Sequence, residues 1–319
     1  MNIALATTAS ILRRLALAAA PVLACALPLA CIAGQEGVPE EEETLGESVE
    51  ALTDWSSPSW GTTRDLIGVP INPINWSCAL RGIAGNLSEG TYPSSPGVQS
   101  TARVWRDPNQ FGGVEMLIGH GGANVVNGAR VWVDNPVNAH ATCFPTAASL
   151  IEATWSSTDP HFPPAPPLKI ADLDPNGRRH CFLSGVMSGT AHWENDTDFA
   201  RVRKITFPSG DFPTTGWYID SNLRSSLFGG VVKVEAKCMT FPQGTVFTED
   251  ELASDPGSTR TEPITFTSGI KACALIGIRG AFNQNSWVDG AVIEPPGPKN
   301  GNWNLTVTNG KKAWWACAE

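Results

Sequence analysis

Apolar and polar residues in this chain alternate in short runs and do not recur at helical spacing. Ala102-Arg-Val-Trp105 and Val114-Glu-Met-Leu-Ile118 follow a two-residue rhythm, and Val232-Lys-Val-Glu-Ala-Lys-Cys238 keeps it without a break. That period belongs to half-buried strands, whose successive side chains point to opposite faces. Gly216-Trp-Tyr-Ile219 reads as another strand, and so do Trp287-Val288, Trp303-Asn-Leu-Thr-Val307 and Lys312-Ala-Trp-Trp-Ala-Cys317. Asn309-Gly310 between the last two is hairpin-turn chemistry. Gly112-Gly113 and Gly119-His-Gly-Gly122 separate earlier runs. No window after residue 54 carries a helical period, so the fold class expected is all-β.

The alternation breaks at one place, three times over. Cys78-Ala-Leu-Arg-Gly-Ile-Ala-Gly, Cys181-Phe-Leu-Ser-Gly-Val-Met-Ser and Cys273-Ala-Leu-Ile-Gly-Ile-Arg-Gly share Cys first, Leu two residues on, Gly fifth and Ile or Val sixth. Each is followed by a second cysteine, at Cys143, Cys238 and Cys317. Self-similarity of this kind marks internal repeats. Three units are expected, at 55–150, 168–242 and 263–319, with a Pro-rich linker at 151–167 and a polar, acidic linker at 243–262. Ala200-Arg-Val202 echoes Ala102-Arg-Val104. The first unit is expected to close on Ala129-Arg-Val-Trp-Val133, with Cys143 just after it.

Pairing the first and last cysteine of each unit would tie its first strand to its last, although six cysteines admit many pairings. The fifth-place Gly breaks the rhythm as a β-bulge or a close backbone crossing would. Three such units can pack around a pseudo-threefold axis, as in trefoil or prism folds, or follow one another as beads. Their unequal lengths and the Pro-rich linker favour successive disulfide-closed sandwiches or barrels, with a single pseudo-threefold β domain as the alternative.

The N-terminus sets the compartment. Arg13 and Arg14 precede an apolar run from Leu15 to Ala30 that is short for a membrane span, so 1–33 reads as an export signal. Of eight cysteines, Cys25 and Cys31 lie there and six remain, an even set suited to a disulfide framework. Leu29-Ala30-Cys31 resembles the lipobox of bacterial lipoprotein precursors, with Pro28 where that pattern prefers Leu. The resemblance implies lipidation of Cys31, against ordinary cleavage near Ala33 and release. Residues 34–54 hold Glu36, Glu40 to Glu43, Glu47 and Glu50 and read as a disordered acidic tether. Much of the net charge of -9 sits in this tether. A negative chain without a basic stripe excludes nucleic acid as a partner, and a membrane is expected only through the N-terminal lipid.

Candidate chemistry is sparse. Asp172-Leu-Asp-Pro-Asn-Gly177 matches the first half of a calcium loop through Asp172, Asp174 and Asn176, but Leu183 stands where the bidentate carboxylate belongs. The same residues make a good turn, which is the preferred reading. Calcium is the one cofactor the pattern suggests. Gly119-His120-Gly-Gly122 resembles the glycine-rich oxyanion loop of some esterases, yet no Gly-x-Ser-x-Gly elbow occurs, and His120 reads as a loop residue.

Tryptophan is abundant, with 12 residues against 2 tyrosines. Most are expected in the core, with Trp132, Trp217 and Trp303 at comparable late positions of their units. Trp55, Trp60 and Trp76 flank the first unit in Ser- and Pro-rich sequence and are candidates to stack on sugar rings. The function expected is that of a non-enzymatic binding or adhesion protein, outer-membrane lipoprotein or secreted. Polysaccharide is the favoured ligand. The alternatives are a structural or protein-interaction envelope protein, and an extracellular hydrolase without a recognisable motif.

Overall fold

The computed structural model describes residues 54–59, 64–66, 76–88, 100–106, 115–120, 123–126, 129–132, 137–145, 148–157, 165–188, 193–208, 214–224, 232–265, 272–284, 286, 288–296 and 302–319. Of 54–59, 64–66, 76, 105, 106, 115, 116, 118, 120, 123–126, 129–132, 145, 148 and 149 it describes the backbone alone. The export signal, the acidic tether, Cys25, Cys31 and Trp60 lie outside the described residues.

Every regular element among the described residues is a strand. The first unit holds β1 (Asp54–Ser59), β2 (Arg64–Leu66), β3 (Trp76–Gly85), β4 (Ser100–Arg106), β5 (Glu115–His120), a hairpin of β6 (Ala123–Val126) with β7 (Ala129–Trp132), and β8 (Val137–Pro145). The second holds β9 (Ala148–Ser157), β10 (Leu168–Asp172), β11 (Arg179–Ser188), β12 (Phe199–Phe207), β13 (Thr214–Ser221) and β14 (Val232–Thr240). The third holds β15 (Phe247–Ala253), β16 (Thr259–Ile264), β17 (Ala272–Arg279), β18 (Gly290–Glu294), β19 (Trp303–Thr308) and β20 (Lys312–Ala318).

These strands form three 6-stranded antiparallel sheets, and no unit keeps its strands to itself. The orders are β1-β8-β3-β18-β19-β16, β2-β5-β4-β11-β14-β9 and β10-β13-β12-β17-β20-β15. Each sheet therefore joins three strands of one unit to three of another. The first unit gives β2, β4 and β5 to the second unit's sheet. The second gives β10, β12 and β13 to the third's, and the third gives β16, β18 and β19 back to the first's. This ring of exchanges is the pseudo-threefold arrangement and not a string of beads. The disulfide-bearing strands β3, β11 and β17 touch one another at its centre.

The repeated cysteines pair within units, as Cys78–Cys143, Cys181–Cys238 and Cys273–Cys317. Each bridge joins residues directly opposite on the first and last strands of the repeat. The cysteines, the Leu two places on and the following Ile or Val all face one continuous core. The residues after the cysteines, Ala79, Phe182 and Ala274 with Phe144, Met239 and Ala318, point the other way into a second shared cluster.

The fifth-place Gly is a bulge in all three copies, with register shifts between Leu80 and Gly82, Leu183 and Gly185, and Leu275 and Gly277. The bulge keeps both flanking apolar residues inward although three positions separate them. It also marks the seam between units. Gly82, Gly185 and Gly277 lie opposite Val292, Arg103 and Arg201 of the neighbouring unit's strand. On the other side stand His140, Glu235 and Trp314. A side chain from each flank crosses over the glycine. Arg103 reaches Glu235 at 2.5 Å over Gly185, and the Arg201 guanidinium lies 4.5 Å from the Trp314 ring centroid over Gly277.

Several local expectations are corrected. The closing strand of the first unit is β8, which carries Cys143 itself, while Ala129–Trp132 pairs with β6 in a separate hairpin. Register therefore matches Trp217 and Trp303 with Glu115 on β5 and leaves Trp132 outside the repeat. His120 is the last residue of β5 and not a loop residue. Val288 is exposed in a turn, and the strand expected there begins at Gly290. The stretches 151–167 and 243–262, expected as linkers, carry most of β9 and most of β15 and β16. All three are edge strands, and on β15 and β16 exposed charged residues hide the apolar alternation.

Candidate functional site

The expected ligand residues divide by place. Trp55 and Trp76 are backbone positions on β1 and β3, and Trp60 lies outside the described residues. The six tryptophans whose side chains are described, Trp155, Trp193, Trp217, Trp303, Trp314 and Trp315, are all buried. Among these the core role holds, and none is a free stacking platform.

Asp172, Asp174 and Asn176 do not converge on a cation. The Asp174 carboxylate accepts the backbone N–H groups of Asn176 at 3.3 Å and Arg178 at 2.9 Å, and its carbonyl accepts from Gly177 at 2.9 Å. Asp172 instead pairs with Lys169 at 2.6 Å on the exposed β10 edge. The segment is an Asx-type turn with Gly177 at a φ of 69°, which a side chain would resist. Among the described residues no group of three His, Cys, Asp or Glu side chains is placed to hold a metal.

Among the described residues, a concavity lies where β15 and β16 part. A turn joins these consecutive strands, yet β15 pairs with β20 and β16 with β19, in different sheets. The two edges diverge around a cleft of about 210 Å³. Leu252, Ile264, Leu305 and Trp315 form its buried floor, and Asp250, Glu251, Glu262 and Thr265 its polar rim. Glu251 is fixed by Lys312 at 2.5 Å and by the Trp314 indole N–H at 2.6 Å. These donors, Lys312 foremost, hold its carboxyl below the usual range. Arg260 hydrogen-bonds Glu262.

The same corner of the second unit is built differently. Trp155 lies opposite Val234, four residues before Cys238, as Leu252 lies opposite Ala313, four before Cys317. The Trp155 indole donates to the Pro166 carbonyl at 3.2 Å, and Ala165 packs against the core beside it. A Trp and the returning Pro-rich chain thus occupy in the second unit what Leu252 leaves open in the third.

Two polar clusters built on a buried side chain lie elsewhere among the described residues. His180, one residue before Cys181, stacks on Phe247 and tilts against Phe182 and Trp217. Its Nε2 lies 3.1 Å from Glu249 Oε1, which also takes Lys204 at 2.9 Å. Burial pushes the imidazole below its usual range, so Nε2–H donates to an ionised Glu249. That bond, with Lys204 assisting, holds the Glu249 carboxyl at about 2. The second cluster is an ion pair with both side chains buried, Lys311 with Asp289 at 2.8 Å.

Sequence reading missed the cleft residues because their stretch looked like a linker. The available signal was Phe247-Thr-Glu-Asp-Glu-Leu-Ala253 and Thr259-Arg-Thr-Glu-Pro-Ile264, polar runs that end on an apolar anchor. No protein-family model matches this chain, and no curated protein matches it.

Proposed function

We propose that this chain is an exported, non-enzymatic binding protein that engages polysaccharide at the cleft between β15 and β16. One observation carries the reading: an apolar floor of Leu252, Ile264, Leu305 and Trp315 beneath a rim of carboxylates and a threonine. That is the general design of a small-ligand site, in which apolar surface takes the body of the ligand and a few polar groups fix its orientation. Carboxylate oxygens accept sugar hydroxyls, and the floor suits the C–H face of a ring. The three disulfides fit an oxidising compartment. Cys31 is the proposed lipid anchor, with secretion as the alternative. Detergent partitioning of wild type and Cys31→Ser separates the two.

The test is a glycan array and a cell-wall pulldown with the oxidised full chain. Retention by a polysaccharide that Asp250→Ala and Glu262→Gln weaken about tenfold, about 1.4 kcal/mol, supports the site. Binding that both variants leave unchanged places the ligand elsewhere, and no glycan binding removes the reading.

A second reading, an envelope protein as partner, rests on the outer edges of β15 and β16, which pair with nothing among the described residues. An extended partner segment adds to such an edge through main-chain hydrogen bonds. A protein recovered from native envelope in place of glycan favours it.

A further inference from the structure

The Asp289–Lys311 cluster is built more closely than a structural ion pair needs. Asp289 immediately precedes β18, and Lys311 immediately precedes β20. The lysine Nζ lies 2.8 Å from Asp289 Oδ1. Oδ1 is also hydrogen-bonded by Thr308 Oγ1 at 2.7 Å and Asn309 Nδ2 at 3.0 Å, while Oδ2 has no hydrogen-bond partner among the described residues.

The surroundings are apolar and tightly fitted. The Phe282 ring centroid is 5.2 Å from Nζ, and Trp193 packs edge-on against Phe282 at 5.3 Å. Trp193 holds a φ of 60°, rare for so bulky a residue. A Cβ on Gly280 would meet Lys311 Cγ at 3.0 Å, so glycine there lets the backbone close over the lysine stem. Burial pushes the Lys311 amine below its usual range, towards the neutral form that can act as a nucleophile, while Asp289 opposes the shift.

We propose that Lys311 Nζ and the Asp289 carboxyl condense into an intramolecular amide that joins the entries of β18 and β20. The ammonium passes a proton to Oδ2, leaving a neutral amine and a neutral acid. The nitrogen lone pair attacks Cγ and the C–O π bond opens onto Oδ1. The Thr308 hydroxyl and the Asn309 amide N–H hold the charge there, as donors in an oxyanion site do. A second nitrogen proton moves to Oδ2, which leaves as water while the carbonyl re-forms. Ammonium and carboxylate become one amide and one water, with no oxidant, reductant or co-reactant.

Mass spectrometry of the purified, oxidised full chain tests this without a variant that has to fold. After reduction and trypsin, the segments 280–299 and 300–312 are expected as one branched species joined through Asp289 and Lys311, one water lighter than their sum. Lys311→Arg keeps a cation but cannot form the amide, and because trypsin then cuts after residue 311, segments 280–299 and 300–311 are expected separately at full mass. Separate wild-type segments at full mass would overturn the proposal.

Discussion

At the residue scale, the repeated glycine is explained by what crosses it. A Cβ on Gly277 would meet the Ala200 carbonyl oxygen at 2.9 Å and Arg201 Cα at 3.0 Å, both on backbone that cannot yield without opening the seam. On Gly185 the first contact is Glu235 Oε2 at 2.7 Å, the mobile end of a side chain. Gly277→Ala is therefore expected to cost about 2–3 kcal/mol and Gly185→Ala about 1 kcal/mol, read from chemical denaturation. Equal losses would mean that the glycine serves the bulge backbone and not the crossing.

The buried His180 and the half-buried His140 shape the pH response. Burial, and next the Arg81 guanidinium, hold the His140 imidazole at about 3 against an ordinary 6.5, and His180 shifts the same way. The unfolded chain takes up protons below about pH 6.5 that the folded chain refuses. Stability is therefore full above that pH and falls towards pH 3, by about 1.4 kcal/mol per pH unit for each histidine while it stays neutral in the fold. Glu249, held at about 2, adds a loss of the same sign as pH falls below 4.5. His140→Gln is expected to flatten the slope between pH 6 and pH 4 in urea titrations, and an unchanged slope would contradict this assignment.

At the element scale, each disulfide ties an antiparallel pair of non-consecutive strands within one sheet, across separations of 65, 57 and 44 residues. Loops of that length give about 4 kcal/mol apiece at most by chain entropy. The Cys273→Ala, Cys317→Ala pair is expected to lower stability by about 3–4 kcal/mol, and a change under about 1 kcal/mol would show that strand pairing alone holds the sheet. The bridged strands were legible because Cys, Leu, Gly and Ile recur together, and the Asn309-Gly310 turn because both positions favour positive φ, found at 51° and 74°. The edge strands were not legible. β15 and β16 expose charged residues, and their signal is a single inward anchor at Leu252 or Ile264. The cleft lies between two such strands, so it escaped notice with them.

At the scale of the whole molecule, exchange of strands makes the three units one cooperative body. Sequence spacing predicts that units exist but not that β4 joins β11, β12 joins β17 and β18 joins β3, because partners so far apart leave no mark on local alternation. Deleting the third unit would leave β3 without β18 and β12 without β17, exposing central edges in two sheets. A chain ending at residue 242 is expected to aggregate, whereas folded, soluble protein of that length would mean that the units stand alone.

Departure from threefold symmetry is where function is sought, in the corner that Trp155 fills in the second unit and Leu252 leaves open in the third. The most direct measurement is the affinity of Leu252→Trp, beside wild type, for the polysaccharide retained in the cell-wall pulldown, with thermal unfolding recorded on both. Loss of at least about tenfold in affinity at unchanged melting temperature is the outcome this account predicts. Equal affinity in a folded Leu252→Trp protein, or no polysaccharide retained by wild type, would contradict it.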